Sequence, residues 1–110
     1  MSNKVVPAQM EWHEGQVKNF FGKDLLKVGN GTVKVVKVAP LAEYPAHRHP
    51  DKTEFVYVLS GNPSFLIGNE EYDAQPNEFY IFPTRVNHAI SNKTNSECLL
   101  LVGGIKNELE

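Results

Sequence analysis

Only one cysteine, Cys98, occurs among the 110 residues, so no disulfide can form within the chain. Its position ahead of Leu99-Leu100-Leu101-Val102 marks it as a small buried hydrophobe rather than a reactive thiol. The sequence also lacks any run of Lys or Arg. Its 11 basic and 13 acidic residues are dispersed and leave a net charge of -2, which excludes a phosphate-binding stripe and hence a nucleic-acid partner. No segment approaches the roughly 18 consecutive apolar residues of a membrane span. The opening Met1-Ser2-Asn3-Lys4-Val5-Val6-Pro7 has no apolar core of signal-peptide length, and a cytoplasmic location is expected. Amphipathic helical periodicity of useful length is missing too, as are internal repeats and low-complexity segments.

What is present reads as strands and turns. With 41% hydrophobic and 22% charged residues, the composition is that of one folded domain. Residues 1–12 have little periodicity and are expected to form an arm, residues 13–104 a β-barrel, and residues 105–110 a charged tail. Gly29-Asn30-Gly31 is a tight-turn signal, because Asn and Gly tolerate positive φ. The β-branched stretch 32–38 after it is a strand, with Lys34 and Lys37 interrupting the apolar residues. Gly22-Lys23-Asp24 is expected as a turn before Leu25-Leu26-Lys27-Val28. Further turns fall at Gly61-Asn62-Pro63, Gly68-Asn69-Glu70 and Gln75-Pro76-Asn77-Glu78. The wholly apolar run Phe79-Tyr80-Ile81-Phe82 suggests a strand covered on both faces. Short strands recurring at about ten-residue spacing indicate an all-β sandwich or barrel.

The chemistry concentrates in Pro45-Ala46-His47-Arg48-His49-Pro50-Asp51-Lys52-Thr53-Glu54. Side chains alternate along a strand, so His47 and His49 share a face, while Arg48 points away. The Pro50-Asp51-Lys52-Thr53 turn then allows the strand begun by Glu54 to lie beside the first and aim its carboxylate at the same point. His88 comes from elsewhere in the sheet. Three neutral imidazoles and one carboxylate suit a divalent transition metal, and ligand type alone does not choose among Mn, Fe, Ni, Zn, Co and Cu. Four such ligands leave two adjacent positions open on an octahedral ion.

The run His47-x-His49, four residues, Glu54, six residues, Gly61 resembles the first motif of the cupin superfamily. Pro83-x-x-x-x-His88, three residues, Asn92 resembles the second, and the 15 residues from Asn62 to Pro76 that separate them are a typical short spacing. Three turn positions depart from the pattern: Leu41, Asn77 and Arg85 stand where the family usually has Gly. All four ligand positions are intact. The resemblance implies a double-stranded β-helix of the jelly-roll type and usually a homodimer. It also implies one divalent metal ion held by His47, His49, Glu54 and His88. Asn92 is expected at a turn or strand end, outside the site.

Expected pocket walls are the inward-facing members of Val56, Val58, Phe65, Ile67, Tyr80, Phe82 and Ile90. Tyr80 could offer its phenol to a ligand, and Arg85 could pair with a carboxylate. The function implied is a metal-dependent enzyme of dioxygenase, decarboxylase or isomerase type acting on a small organic acid, sugar or phenolic substrate. The alternative is a small-ligand binding or sensor module without turnover.

Overall fold

The computed structural model describes residues 3–107. After a 3-10 turn at Pro7–Gln9, ten strands follow: β1 His13–Glu14, β2 Phe20–Val28, β3 Gly31–Val38, β4 Glu43–His47, β5 Lys52–Ser60, β6 Ser64–Ile67, β7 Glu70–Asp73, β8 Phe79–Phe82, β9 His88–Ser91 and β10 Cys98–Lys106. They form a six-stranded sheet in the order β1-β2-β3-β10-β5-β8 and a four-stranded sheet in the order β4-β9-β6-β7. Every pairing is antiparallel. The two sheets face each other as a jelly-roll barrel, the all-β class anticipated from the strand spacing.

Alternation explains the core. Val36 and Val38 on β3, Val56 and Val58 on β5, and Cys98 and Leu100 on β10 are buried at every second position, and Phe65 and Phe82 close over them from β6 and β8. Cys98 is part of this core, as its neighbours suggested. Burial pushes its thiol pKa up, which disfavours the reactive thiolate. Asn92, just past the end of β9, is also fully buried and acts as a polar tie. Its amide nitrogen donates to the carbonyls of Val38, Ala39 and Ser96, and its side-chain oxygen accepts from the backbone and hydroxyl of Thr94. Five bonds from one side chain satisfy loop groups that would otherwise be buried unpaired.

Several local expectations require correction. Gly22-Lys23-Asp24 is no turn; it lies inside β2, where β1 pairs on one side and β3 on the other, and a bulge between Asp24 and Leu26 absorbs the irregular composition. The arm packs along this sheet: Lys23 Nζ donates to the Pro7 carbonyl at 2.8 Å, and the ammoniums of Lys23 and Lys37 lie 4.3 and 4.7 Å from the centre of the Trp12 ring. Strand β10 runs through Ile105 and Lys106, two residues into the stretch expected as a tail. The remainder of that tail beyond residue 107, and residues 1–2 of the arm, lie outside the described residues.

The apolar run of β8 is not covered on both faces. It is an edge strand, and Phe79 and Ile81 are each 55% exposed on its outer side. An unbroken apolar run carries no period, so the sequence could not separate the two faces.

The departures Leu41, Asn77 and Arg85 share one property. Their φ values are 64°, 72° and 66°, in the left-handed region that glycine enters freely. The turn shapes are retained with non-glycine residues, at a cost of order 1 kcal/mol each.

Candidate metal site

β4 and β9 are neighbours in the four-stranded sheet, and their register places His47 directly opposite His88. His49 follows two residues after His47, beyond the end of β4, and its position is held by a hydrogen bond from the Arg85 backbone N–H to the His49 carbonyl, 2.9 Å. Glu54 does not lie on a strand beside β4, contrary to the hairpin expected from the sequence. It comes from β5 in the opposite sheet, paired with Phe82 on one side and Gly104 on the other, and reaches across the barrel. Alternation alone gives the face of a side chain, but not which sheet its strand joins.

The result is a convergent cluster. One ligand atom from each of His47, His49, Glu54 and His88 can be chosen so that all lie within 4.8 Å of one another. Glu54 Oε1 is 3.2 Å from His49 Nε2 and 3.3 Å from His88 Nε2. The His47 and His88 ring centres are 4.3 Å apart. His47 Nδ1 donates to the Pro45 carbonyl at 3.0 Å, which fixes the tautomer and leaves a lone pair on Nε2. His88 is 2% exposed and its ring stacks on Phe82 at 4.4 Å, so its orientation is set by packing.

The electrostatics favour the ligating forms. Burial works to raise the Glu54 pKa, but the hydrogen bond to His88 and the charges of Lys52, His49 and His88 outweigh it and bring it to about 2. Lys52 Nζ is 3.6 Å from the second carboxylate oxygen. For His49, burial lowers the pKa below 6.5, with help from Lys52, His47 and His88, although Glu54 pulls the other way. Glu54 is thus kept charged and His49 neutral, the states that donate lone pairs to a cation.

This N3O donor set fits a divalent transition metal. It opens onto a cavity of about 480 Å³, within the range of small-molecule sites. Phe20, Val36, Tyr44, Phe82, Ile90 and Val102 supply its apolar wall.

Over well over half of the chain, residues 34–104, the sequence matches the family model described as a cupin domain. The chain belongs to the cupin family. No curated protein matches the sequence. Among solved structures, this cupin resembles KdgF from Halomonas sp., with a TM-score of 0.87 and 14% identity over 98% of this chain and 96% of that one. A predicted oxalate decarboxylase from Thermotoga maritima superposes with a TM-score of 0.87 and 16% identity, covering 94% and 99% of the two chains. A sugar phosphate isomerase of the cupin superfamily from Silicibacter pomeroyi gives 0.80 and 19%, covering 94% and 76%. At these identities the likeness shows the fold alone.

Of the expected wall residues, Phe82 and Ile90 line the cavity of this cupin. Val56, Val58, Phe65, Ile67, Tyr80 and Arg85 do not, and Val56 and Val58 belong to the core instead. Phe65 is fully buried, packed edge-on against Tyr80 and Phe82 at 4.8 and 5.6 Å. Tyr80 lies one pleat beyond Phe82, and its hydroxyl donates to Glu78 at 2.6 Å. Burial, together with that carboxylate, pushes its phenol up to about 12. Arg85 is exposed in the loop before His88, where its positive φ and its backbone bond to His49 are what the site uses.

Sequence reasoning missed Tyr44, whose ring lies between Phe20 and His47 at 5.2 and 4.7 Å. It also passed over Lys34, which lines the cavity. The signal for Lys34 was available: it has the same strand parity as the core residues Val36 and Val38.

Proposed function

We propose that this protein is a metal-dependent cupin whose His47, His49, Glu54 and His88 hold one divalent transition metal ion at the side of the cavity, for action on a small organic acid, sugar or phenolic compound. The observation that carries this reading is the convergence of four donor atoms within 4.8 Å, on three imidazoles and one carboxylate drawn from both sheets. A bound ion would supply Lewis acidity at the open coordination positions. The chain's own groups would do the rest. His47 is oriented by Pro45 and His88 by Phe82, while the apolar wall excludes water from a bound ligand. The names of two structural neighbours, a predicted oxalate decarboxylase and a sugar phosphate isomerase, support the chemical class without choosing a reaction.

Elemental analysis of protein purified without a metal-affinity tag should find close to one transition metal per chain, and occupancy should fall with acidification. His49 has a folded-state pKa below its ordinary 6.5, so its contribution to stability is complete above 6.5 and is lost as pH falls through the lower value. Glu54, lowered from 4.5 to about 2, contributes fully above 4.5 and loses that contribution as pH falls toward 2. Because imidazoles must be deprotonated to ligate, release should begin below about pH 6.5. Full occupancy at about pH 4, or no uptake when Mn, Fe, Ni or Zn is added at neutral pH, would refute the reading.

The homodimer is part of the same proposal. Phe79 and Ile81 on β8 lie exposed beside Phe55, whose ring stacks on Phe79 at 5.4 Å, forming an apolar outer patch at the edge of the six-stranded sheet. A second copy of this patch is its proposed cover. Sedimentation should give twice the 12.3 kDa chain mass, and Ile81→Lys should return it to the monomer. A monomeric wild type would remove this element of the proposal.

A further inference from the structure

Lys34 puts a cation on the inner face of the barrel, two positions from Val36 on the same side of β3. Its cross-strand neighbours are Asp24 on β2 and Val102 on β10. The stem lies along the wall where β2 has Gly22: a Cβ at that glycine would be 3.9 Å from the Lys34 Cδ. Among the described residues, the Lys34 ammonium has no hydrogen bond or ion pair, Asp24 included. Lys52, by contrast, is engaged by Glu54. Lys34 is exposed at the mouth of the cavity, so water solvates its ammonium in the free protein and an anion that enters with the ligand can take that water's place.

The charge balance points the same way. With a divalent ion in place, Lys34, Lys52 and the ion carry four positive charges along the lining, against three on Glu14, Asp24 and Glu54. One of the three, Glu14, already accepts the Asn19 backbone N–H at 2.8 Å. In the six-stranded sheet, Glu54 and Lys34 are two strands and one pleat repeat apart, so their Cα atoms are about 12 Å from each other. A short ligand fills what the two side chains leave of that span. Val102, the cross-strand neighbour of Lys34 on β10, lies between the two and suits an alkyl linker.

We propose that Lys34 is a specificity-determining residue that selects organic acids with a second carboxylate. One end of the ligand chelates the ion held by His47, His49, Glu54 and His88, and the distal carboxylate pairs with the Lys34 ammonium. This rests on the metal-site reading above and narrows its substrate class to short diacids, since a neutral sugar or a monoacid would leave Lys34 unpaired.

The test is calorimetric titration of zinc-loaded protein with 2-hydroxyglutarate and with 2-hydroxybutyrate, which share a chelating end and differ in the distal carboxylate. Wild type should bind the diacid at least about tenfold more tightly, the scale of one charge-assisted hydrogen bond. Lys34→Met should abolish this preference by weakening the diacid alone, with zinc content unchanged, and Lys34→Arg should restore most of it. Equal affinities in wild type, or a preference that survives in Lys34→Met, would overturn the role of Lys34 while leaving the metal site standing. A wild type that takes up no zinc would instead overturn the metal reading on which it rests.

Discussion

Replacing Glu54 with Ala is expected to lower metal affinity by more than about 100-fold, because loss of even an outer partner of a metal ligand costs about 10- to 100-fold. Glu54 is the cluster's single anionic donor, and its Oε1 lies within 3.3 Å of two imidazole nitrogens. Without it, three imidazoles would face the ion with no charge to offset its desolvation. Competition against a chromophoric chelator, alongside elemental analysis, measures the effect. Glu43→Ala is the control: this exposed glutamate is on β4, the strand of His47, but outside the cluster. The barrel should persist in the Glu54 variant, since Val56, Val58, Leu100 and their neighbours form a core that does not involve Glu54. A Glu54→Ala protein that retains stoichiometric metal at wild-type affinity would remove this residue from the site.

Phe65→Ala should be the most destabilising single change, at about 3–5 kcal/mol, because it empties a fully buried ring position between Tyr80 and Phe82. For a domain of this size, the thermal midpoint should drop by at least about 12 °C. If Phe65 were a pocket wall, its truncation would instead enlarge the cavity, alter ligand affinity and leave stability nearly intact. Denaturant unfolding distinguishes the two: a loss below about 1 kcal/mol would contradict the core placement.

The contrast between Phe65 and Lys34 shows what a sequence of this kind discloses. Strand alternation identifies which residues share a face, and it put Val56 and Val58 together on the inner face of β5, where they are core rather than the pocket wall expected. It does not say which end of a barrel a residue occupies, so Phe65, deep in the packing, and Phe82, at the cavity, looked equivalent. The hairpin at Gly29-Asn30 was legible because its chemistry is local, whereas Gly22-Lys23-Asp24 looked like a turn and became strand once β1 and β3 flanked it. That His47, His49, Glu54 and His88 would come together was readable from spacing and family resemblance. Their arrangement was not, because the pairing of β4 with β9 and the placement of β5 in the other sheet depend on contacts between distant segments. The turn positions Leu41, Asn77 and Arg85 were visible as departures from a glycine pattern, but only backbone angles reveal that the left-handed conformation was kept.

The pairing of His47 with His88 would make a bound ion a check on how the smaller sheet assembled. A slip of one residue in that ladder would turn the His88 imidazole to the outside and offer Asn87 or Ala89 in its place. Only the correct alignment presents the full set of four donors, so the binding energy of the proposed ion would accrue to that alignment. A chain folding in the presence of such an ion would thereby be held to one alignment of β4 with β9, a pairing of distant segments that local signals leave open.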